Sequence, residues 1–398
     1  MQPLRLPQDD PQPSVSATSK PVSDIAHLSY VGSHPAPRSW DCTLPAITIV
    51  LDALEVLLRN APEYAVLPLS GRGTQADRAQ AEFQLTVSVL LLSPTNQILL
   101  LHRVKTSSAF PSAHVFPGGT VSEYHEEPVP PPGNPKRHWD SEAYRLAAIR
   151  ETFEESGILL AKPKGQESGS ELLQLNDETR VKGRKATHAD QIKFTDWLDK
   201  VGGVPDLNGL VPFTRWITPP GAPIKKRFSV QMYIYMLPLG QPTPDTAHDG
   251  GLEHTEAEWA DVREWVRRAQ SGEVMLYEPQ AFPLHVMAPF FPQGPNRDYA
   301  VERKNLLEFI HRVPTGDSGH WTTQIPWKDK IMCPYVEGQV DDGRVIISCE
   351  HPGPEIADEE RRGGCADRMV MINTWTQNPR NAEMVLRKDA KYKPVSKL

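Results

Sequence analysis

Runs of apolar residues, separated by short polar turns, predict several strands in the first two thirds of the chain. Phe83–Leu92 and Ile98–His102 are apolar runs joined by the turn sequence Ser93-Pro94-Thr95-Asn96, which is typical of two strands connected by a tight turn. Phe228–Leu237 is a further strand candidate, since it combines β-branched and aromatic residues over ten positions.

Helical periodicity appears in three segments, of which two lie between these strands and one follows them. The residues from about Ser141 to Ser156 form the clearest helix, Thr187–Lys200 is a second candidate, and Ala260–Gln270 predicts a polar helix that ends near Gly272. Lys162–Asp177 is polar and rich in Gly and Ser, so it is interpreted as a surface insertion. Mixed strands and helices place the chain in the α/β class.

The two ends of the chain differ from this central region. The first 40 residues are rich in Pro, Ser and Gln and predict a disordered or extended arm. A short amphipathic helix is predicted farther along the same arm, at Ala46–Leu58. Near the other end, Arg344–Ser348 and Met369–Asn373 predict a small β-rich appendage. The predicted organisation is a largely disordered or extended arm over residues 1–80, a catalytic domain over residues 81–295 with insertions at about 120–139 and 161–205, and a C-terminal extension over residues 296–398.

Composition excludes several classes of protein. The 398 residues carry 43 Lys and Arg against 50 Asp and Glu, a net charge of −7, so nucleic acid is not an expected partner. No apolar run approaches the ~18 residues of a membrane-spanning helix. The four cysteines, Cys42, Cys333, Cys349 and Cys365, form no Cys-x-x-Cys pair, which argues against a zinc ribbon and a disulfide framework.

The predicted helix at 141–156 carries the candidate chemistry. At about 100° per residue, Glu151, Glu154 and Glu155 share one face, opposite Leu146, Ile149 and Phe153. Three converging carboxylates repel one another without a cation, and oxygen ligands of this kind suit Mg²⁺ or Mn²⁺. Arg150 lies four residues before Glu154, where it can fix the carboxylate by a charge-assisted hydrogen bond.

The spacing of these residues resembles the Nudix box, the signature of hydrolases that act on nucleoside diphosphates linked to another moiety. The matching positions are Glu142, Arg150-Glu151, Glu154-Glu155, Gly157 and Ile158. Thr152 replaces the usual aliphatic residue, and Lys136 stands where the box has its opening glycine. Gly118 and Gly119 lie about 17 residues too early, which indicates an insertion over Val121–Trp139.

The resemblance implies a Nudix α/β/α sandwich around a mixed β-sheet, and a reaction in which water attacks a diphosphate. It assigns Glu151, Glu154 and Glu155 as ligands of Mg²⁺ or Mn²⁺ and Arg150 as the residue that orients them. Glu142 is expected in the first turn of the helix, away from the metal. The catalytic base is left open between Glu151 and three downstream glutamates, which are Glu253, Glu256 and Glu258.

A narrower resemblance rests on the box together with four segments, which are Leu99–Arg103, Ala113–Gly119, Phe213–Pro219 and Gly250–Trp259. Over about residues 83–290 these look like the peroxisomal coenzyme A diphosphatases of the Nudix motif 19 type. It implies cleavage of CoA or acyl-CoA to 3′,5′-ADP and (acyl-)phosphopantetheine. Arg103 and Phe116 have the spacing of CoA-cleaving relatives, whereas Ser108 and Ser112 replace their second Arg and their Gly. The expected substrate-binding residues are Arg103, Phe116, Gly118, Gly119, Lys225, Lys226, Arg227 and Glu256.

Two other functions stay open from the sequence. One is a Nudix diphosphatase for NADH or a nucleotide sugar, and the other is a module that binds a nucleotide or a protein without catalysis. The last residues, Ser396-Lys397-Leu398, match the peroxisomal address, so a peroxisomal import receptor is an expected partner and the peroxisomal matrix the expected location.

Overall fold

The computed structural model describes residues 83–107, 110–168, 171–220, 226–246, 254–356, 363–373 and 380–395. The whole of the predicted N-terminal arm over residues 1–80, with the helix at Ala46–Leu58, lies outside these residues. So do Ser108, Lys225, Glu253 and the tripeptide Ser396-Lys397-Leu398.

Strands and helices alternate along the described chain. The strands are β1 (Phe83–Leu92), β2 (Gln97–Arg103), β3 (His114–Val115), β4 (Ala161–Pro163), β5 (Gly203–Pro205), β6 (Val211–Ile217), β7 (Arg227–Met236), β8 (His254–Asp261), β9 (Ile331–Met332), β10 (Tyr335–Gln339), β11 (Val345–Cys349), β12 (Cys365–Ile372), β13 (Glu383–Leu386) and β14 (Lys393–Pro394). The helices are α1 (Glu142–Ser156), α2 (Asp177–His188), α3 (Phe194–Lys200), α4 (Val262–Gln270), α5 (Glu278–Met287) and α6 (Tyr299–His311). Short 3₁₀ helices connect several of them.

The central sheet is mixed, as predicted. Its order is β3-β2-β1-β7-β6-β9, and β8 pairs with β2. β1 runs parallel to β7 along its whole length, from Phe83 opposite Arg227 to Leu92 opposite Met236. β2 is antiparallel to β1 and also to β8. The predicted β1–β2 hairpin is confirmed, and Asn96 in its turn has the left-handed backbone that this residue tolerates.

Helices cover both faces of this sheet, which confirms the α/β/α arrangement. On one face, Val87, Val89 and Leu91 of β1 pack in a core with Ile149 and Phe153 of α1. On the other face, Leu90 and Leu92 belong to a core that contains residues of α4, α5 and α6, among them Trp265, Phe282 and Leu306. β1 is covered on both sides, and its second half, Val89–Leu92, is a continuous apolar run, whereas Gln84, Thr86 and Ser88 alternate with apolar residues in its first half.

The segment between β4 and β5 forms a small unit of its own. β4 and β5 pair antiparallel, and α2 and α3 lie between them in sequence. The predicted single helix at Thr187–Lys200 is therefore wrong in detail. Thr187 lies at the end of α2, and the chain leaves the helical path between His188 and Phe194, where Asp190 has a positive φ of 54°.

The C-terminal region is β-rich, as predicted, and it shares a core with the rest of the structure. The strands order as β13-β12-β11-β10-β14 in a separate antiparallel sheet. Ile347 of β11 and Val370 of β12 join the same buried cluster as Phe282 of α5. In addition, β9 pairs parallel with β6 at the edge of the central sheet. No helix in the described ranges is long and apolar enough to cross a membrane.

Candidate active site

A short extended segment, residues 114–121, enters the central sheet where β1 and β2 separate. β3, at its start, pairs with β2. Farther on, the carbonyls of Pro117 and Gly119 accept hydrogen bonds from the amides of Val89 and Val87, at 2.8 and 2.9 Å. The segment thus fills the gap between the two strands and is held on both sides by main-chain hydrogen bonds.

Both glycines of this segment are required by close approaches. A Cβ atom on Gly118 would lie 2.1 Å from the carbonyl oxygen of Val87, and Gly118 has a φ of 154°. A Cβ atom on Gly119 would lie 2.3 Å from Oε2 of Glu151. The first glycine lets the segment pack on β1, and the second lets the carboxylate of Glu151 pack on the segment.

Helix α1 has the predicted bounds and carries the predicted carboxylates. It begins at Glu142 and ends at Gly157, whose left-handed backbone (φ 77°) and hydrogen bond to the carbonyl of Phe153 close the helix. Glu154 and Glu155 are each only 7% exposed. A glutamate this deeply buried requires a compensating donor or cation.

Arg150 is the centre of the carboxylate cluster. Its guanidinium donates to Glu151 Oε1 at 2.9 Å and to Glu154 Oε2 at 3.4 Å. It also donates to the carbonyl of Thr120 at 2.8 Å. Burial opposes its charge, but the carboxylates of Glu151 and Glu126 raise the pKa of Arg150 above its ordinary value. Arg150 is therefore a fixed cation that holds two of the expected metal ligands.

The strongest carboxylate contact of Arg150 was not predicted from sequence. Nε of Arg150 lies 2.8 Å from Oε1 of Glu126, whose side chain is fully buried and also accepts the amide of Ser122 at 2.6 Å. Glu142, which the spacing aligned with the first glutamate of the box, is exposed at the start of α1. The predicted insertion over residues 120–139 needs correction in consequence, because Thr120 and Glu126 belong to the site and the additional residues follow Glu126.

Glu155 is held by the glycine segment and lies beside β8. Its Oε2 accepts the amide of Gly118 at 2.7 Å, and its Oε1 lies 3.8 Å from Nε2 of the buried His254. His254 is the register partner of Arg103 across β2 and β8. The structure therefore brings Arg103, predicted to bind substrate, to the same end of the sheet as Glu155.

The donor set fits a divalent cation of the hard-oxygen class. Oε1 of Glu154 is buried and has no hydrogen-bond partner in the described residues. Burial raises the pKa of Glu151 to about 7 against the opposing effect of Arg150, so a bound cation would stabilise its ionised form. Within the described ranges, no three His, Cys, Asp or Glu side chains lie close enough together to form a metal site without rearrangement. Glu151, Glu154 and Glu155 instead point to protein donors, which are the guanidinium of Arg150 and the amide of Gly118.

Several predicted substrate contacts lie elsewhere. Phe116 is 2% exposed and packs in the core on the sheet face away from α1. Arg227 donates to the carbonyl of Thr218 at 3.0 Å, and its guanidinium lies over the ring of Phe83. Lys226 is exposed. These residues have structural or solvent contacts in place of contacts with the carboxylates.

Two of the downstream glutamates that the sequence offered as the base, Glu256 and Glu258, lie on strand β8. Glu256 pairs with His102 and Glu258 with Leu100. Because Leu100 belongs to the core opposite α1, both glutamates face away from the carboxylate cluster. Glu258 is further occupied by an ion pair with Arg268 of α4 at 2.8 Å.

The loop after β2 contains Ser112, one of the two serines that depart from the residues expected at this spacing. Ser112 has a φ of 59°, in the left-handed region. Arg103, at the end of β2, donates from Nε and Nη2 to Oγ of Ser107, at 3.1 and 2.9 Å.

Two side chains of α2 also reach α1, and sequence reasoning missed them. Arg184 donates to the carbonyls of Glu154 and Glu155, and Nδ1 of His188 lies 3.5 Å from Oε2 of Glu154. No pattern in the sequence links α2 to α1, since the contact depends on how the insertion folds back. His254 lies within the segment Gly250–Trp259, which carries part of the resemblance, so the sequence did indicate this part of the chain as a source of site residues.

Comparisons with known proteins agree with this geometry. Residues 136–287 match the family model described as the NUDT19 Nudix domain. Acyl-coenzyme A diphosphatase NUDT19 of Gallus gallus is 30% identical over 227 residues, which are 47% of this chain and 60% of the relative. The protein of the same name from Xenopus laevis is 26% identical over 245 residues, 52% of this chain and 63% of the relative. The chain thus spans less than two thirds of each relative's length.

A solved structure also matches the chain. The crystal structure of a NUDIX hydrolase from Alicyclobacillus acidocaldarius aligns with 55% of this chain and 100% of its own, with 22% sequence identity and a TM-score of 0.40.

Proposed function

We propose that this chain hydrolyses the diphosphate bond of CoA or acyl-CoA with the help of a divalent metal ion. The match of residues 136–287 to the family model described as the NUDT19 Nudix domain supports this proposal. The products are 3′,5′-ADP and phosphopantetheine or acyl-phosphopantetheine. The relatives from Gallus gallus and Xenopus laevis bear the name acyl-coenzyme A diphosphatase, which supports this choice of substrate.

The observation that carries the proposal is the carboxylate cluster of α1. Glu151, Glu154 and Glu155 lie within two turns of one helix, against the segment that contains Gly118 and Gly119. Oε1 of Glu154 is buried without a protein donor in the described residues. A surface helix with three solvated glutamates would have none of these contacts, so the cluster has the features of a ligand set.

The protein's own groups have distinct tasks in this reaction. Mg²⁺ or Mn²⁺ held by Glu151, Glu154 and Glu155 would supply neutralisation of charge on the diphosphate and activation of the attacking water. Arg150 orients Glu151 and Glu154, and Glu126 orients Arg150. The amide of Gly118 fixes one oxygen of Glu155. Each carboxylate is thereby held in place before substrate binds.

Arg103 is the cation best placed to contact a phosphate of the substrate. It lies at the end of β2, directly across from His254, which in turn lies beside Glu155. A guanidinium can bind two phosphate oxygens at once, which suits a diphosphate. Among the described candidates for the base, Glu151 lies at the carboxylate cluster, whereas Glu256 and Glu258 face the other side of the sheet.

Product analysis distinguishes this proposal from its alternatives. Purified protein is incubated separately with CoA, an acyl-CoA, NADH and a nucleotide sugar, each with Mg²⁺, with Mn²⁺ and with chelator. Formation of 3′,5′-ADP from CoA or acyl-CoA, at higher kcat/KM than cleavage of the other two, is the expected result. Preferred cleavage of NADH or the sugar would assign a different substrate. No cleavage, combined with a ligand-induced rise in melting temperature, would assign a binding module.

We further propose that the protein is imported into the peroxisomal matrix. The proposal rests on Ser396-Lys397-Leu398. A fluorescent protein fused to the N-terminus of this chain is expected to colocalise with a peroxisomal marker, and the same fusion without these three residues is expected to stay diffuse. Identical distributions of the two fusions would contradict the proposal.

A further inference from the structure

The last turn of α1 contains two of the expected metal ligands and also the carbonyls that a helix leaves without internal partners. The final carbonyls of an α-helix have no intrahelical donor, and the last turn is where a helix frays. In α1 the amide of Gly157 satisfies the carbonyl of Phe153 at 2.9 Å. The carbonyls of Glu154 and Glu155 come next and require donors from outside the helix.

Arg184 of α2 supplies these donors. Its Nε and Nη2 donate to the carbonyl of Glu154 at 3.0 and 2.8 Å, and Nη2 also donates to the carbonyl of Glu155 at 3.1 Å. A guanidinium at this position also places a positive charge at the negative end of the helix dipole. One side chain thus holds the main chain of both glutamates.

Helix α2 is itself fixed on the rest of the domain, so Arg184 has a rigid base. A Cβ atom on Gly183 would lie 2.3 Å from the ring of Trp197, which shows how closely α2 packs on α3. Trp197 in turn stacks on Phe153 of α1 with ring centroids 4.7 Å apart. The three helices form one packed unit around these two rings.

A second connection joins the same insertion to the partner of Arg150. The buried His125 accepts the amide of Phe194 on Nδ1 at 3.1 Å, so Nε2 carries the proton. Nε2 lies 2.9 Å from Oδ1 of Asp190 and 3.1 Å from the carbonyl oxygen of Thr187. His125 directly precedes Glu126, which binds Arg150. The insertion between β4 and β5 therefore braces the carboxylate cluster from both sides.

We propose that Arg184 is a positioning residue of the active site, which holds the last turn of α1 so that Glu154 and Glu155 stand in place to bind the metal ion. The proposal rests on the proposed function for its catalytic consequence. Its structural consequence, protection of the last turn of α1, can be measured without any turnover. Arg184 acts through the main chain, because its three hydrogen bonds to α1 described above are accepted by carbonyl oxygens.

The experiment compares Arg184→Ala and Arg184→Lys with the control Lys182→Ala. Lys182 lies on the same helix and forms an exposed pair with Glu178. Hydrogen exchange of the Gly157 amide is measured by NMR, together with the Mn²⁺ concentration that gives half of the thermal shift. In Arg184→Ala, exchange is expected to accelerate at least about tenfold and the half-saturating Mn²⁺ concentration to rise about tenfold, while Lys182→Ala stays at wild-type values.

Kinetics with CoA separate positioning from substrate binding. Arg184→Ala is expected to lower kcat about 10- to 100-fold with KM within about twofold of wild type, and Arg184→Lys is expected to lie between the two. A rise in KM with unchanged kcat would assign Arg184 to substrate binding and overturn the proposal. Wild-type exchange, Mn²⁺ response and kcat in Arg184→Ala would overturn it as well.

Two further outcomes are decided by the same set of variants. If the wild-type chain does not cleave CoA, the proposed function fails, while the exchange and Mn²⁺ measurements still support or contradict the role of Arg184. If Arg184→Ala does not fold, Arg184→Lys carries the test, because it keeps the charge and part of the hydrogen bonding. Reduced kcat at an unchanged melting temperature then supports the proposal, and wild-type kcat contradicts it.

Discussion

Arg150 and Glu126 form a buried ion pair with Nε of the arginine 2.8 Å from Oε1 of the glutamate. The side chains are 4% and 0% exposed, so neither charge is solvated and each depends on the other. Twenty-three residues separate the two positions, and many of them, from Glu127 to Ser141, form the Pro-rich stretch before α1. The inserted residues interrupt the spacing of the box, so the contact between Glu126 and Arg150 is visible in the structure but not in the sequence.

Glu126→Ala is expected to destabilise the fold and to abolish most of the activity. Removing one member of a buried ion pair leaves an uncompensated charge, which costs about 3–5 kcal/mol. Chemical denaturation of Glu126→Ala beside Glu127→Ala, whose side chain is exposed, provides the measurement and its control. Equal free energies of unfolding in the two variants would show that Glu126 does not compensate Arg150.

Glu155→Gln is expected to lose most turnover while it keeps the fold. The amide retains an oxygen that can accept the amide of Gly118, but it removes the negative charge that a metal ion requires. A decrease in kcat of at least about 100-fold is expected, since metal-ion stabilisation is worth several kcal/mol. Glu142→Gln on the same helix is the matched control, because Glu142 is exposed in the first turn. Wild-type kcat in Glu155→Gln would remove Glu155 from the metal site.

The two adjacent glycines are expected to respond differently to alanine. In Gly118→Ala the new Cβ meets the main chain of Val87 and Ser88, at 2.1 to 2.9 Å, so the sheet must shift. In Gly119→Ala it meets the carboxylate of Glu151 at 2.3 to 2.7 Å, which can rotate away. Gly118→Ala should therefore lower the melting temperature more, and Gly119→Ala should lower kcat with a smaller loss of stability. The reverse order of melting temperatures would contradict these contacts.

Ser112→Gly is expected to raise stability. A left-handed backbone costs a residue with a Cβ about 1–2 kcal/mol, part of which is offset by the greater freedom of glycine in the unfolded chain. Ser112, with a φ of 59°, carries this cost. Ser112→Ala keeps the Cβ and serves as the control in the same thermal melts. A lower melting temperature for Ser112→Gly than for Ser112→Ala would contradict the assigned strain.

Glu278 is expected to make stability fall as the pH rises toward 8. Burial raises the pKa of Glu278 from 4.5 to about 7, and Tyr277 and the buried thiol of Cys349 are the titratable groups it interacts with. At a pH between 4.5 and about 7, the folded chain keeps the Glu278 proton that the unfolded chain has lost. The contribution of Glu278 to the free energy of unfolding is therefore fully present below pH 4.5 and is lost above about pH 7.

The measurement is the free energy of unfolding at pH 5 and at pH 8 for wild type and Glu278→Gln. The wild-type chain should lose on the order of 2 kcal/mol more than the variant over this interval. Glu273→Gln is a suitable control, because Glu273 is an exposed residue of the adjoining loop. Parallel pH profiles for wild type and Glu278→Gln would show that Glu278 ionises normally in the folded chain.

The elements with strong periodicity or continuous apolar character were predictable from sequence. β1 and β7 are buried on both faces, so each contains a continuous apolar run that predicts a strand. α1 follows the helical period from Glu142 and ends at Gly157. By contrast, α5 was not identified, because Pro283 lies inside the helix, where proline normally interrupts it. β8 was equally ambiguous, since its acidic exposed positions gave it the composition of a loop.

The candidate site was predictable in its ligands but not in its support. Glu151, Glu154 and Glu155 are close in sequence, so helical spacing alone groups them. Glu126, His254 and Arg184 reach the same place through tertiary folding, and no local pattern fixes which of several glutamates or arginines will do so. The placement of Glu256 failed for the same reason, because its side of the sheet depends on the register of β8 against β2.

The most direct test of the account is the metal dependence of CoA cleavage by the wild-type chain and by Glu155→Gln, prepared and assayed together. CoA is incubated with Mg²⁺, with Mn²⁺ and with chelator, and 3′,5′-ADP and phosphopantetheine are quantified by chromatography and mass spectrometry. The expected result is equimolar formation of both products by the wild-type chain with a divalent metal, and almost none with chelator or with Glu155→Gln. Equal product formation in the presence of chelator, or no 3′,5′-ADP from the wild-type chain with either metal, would contradict the account.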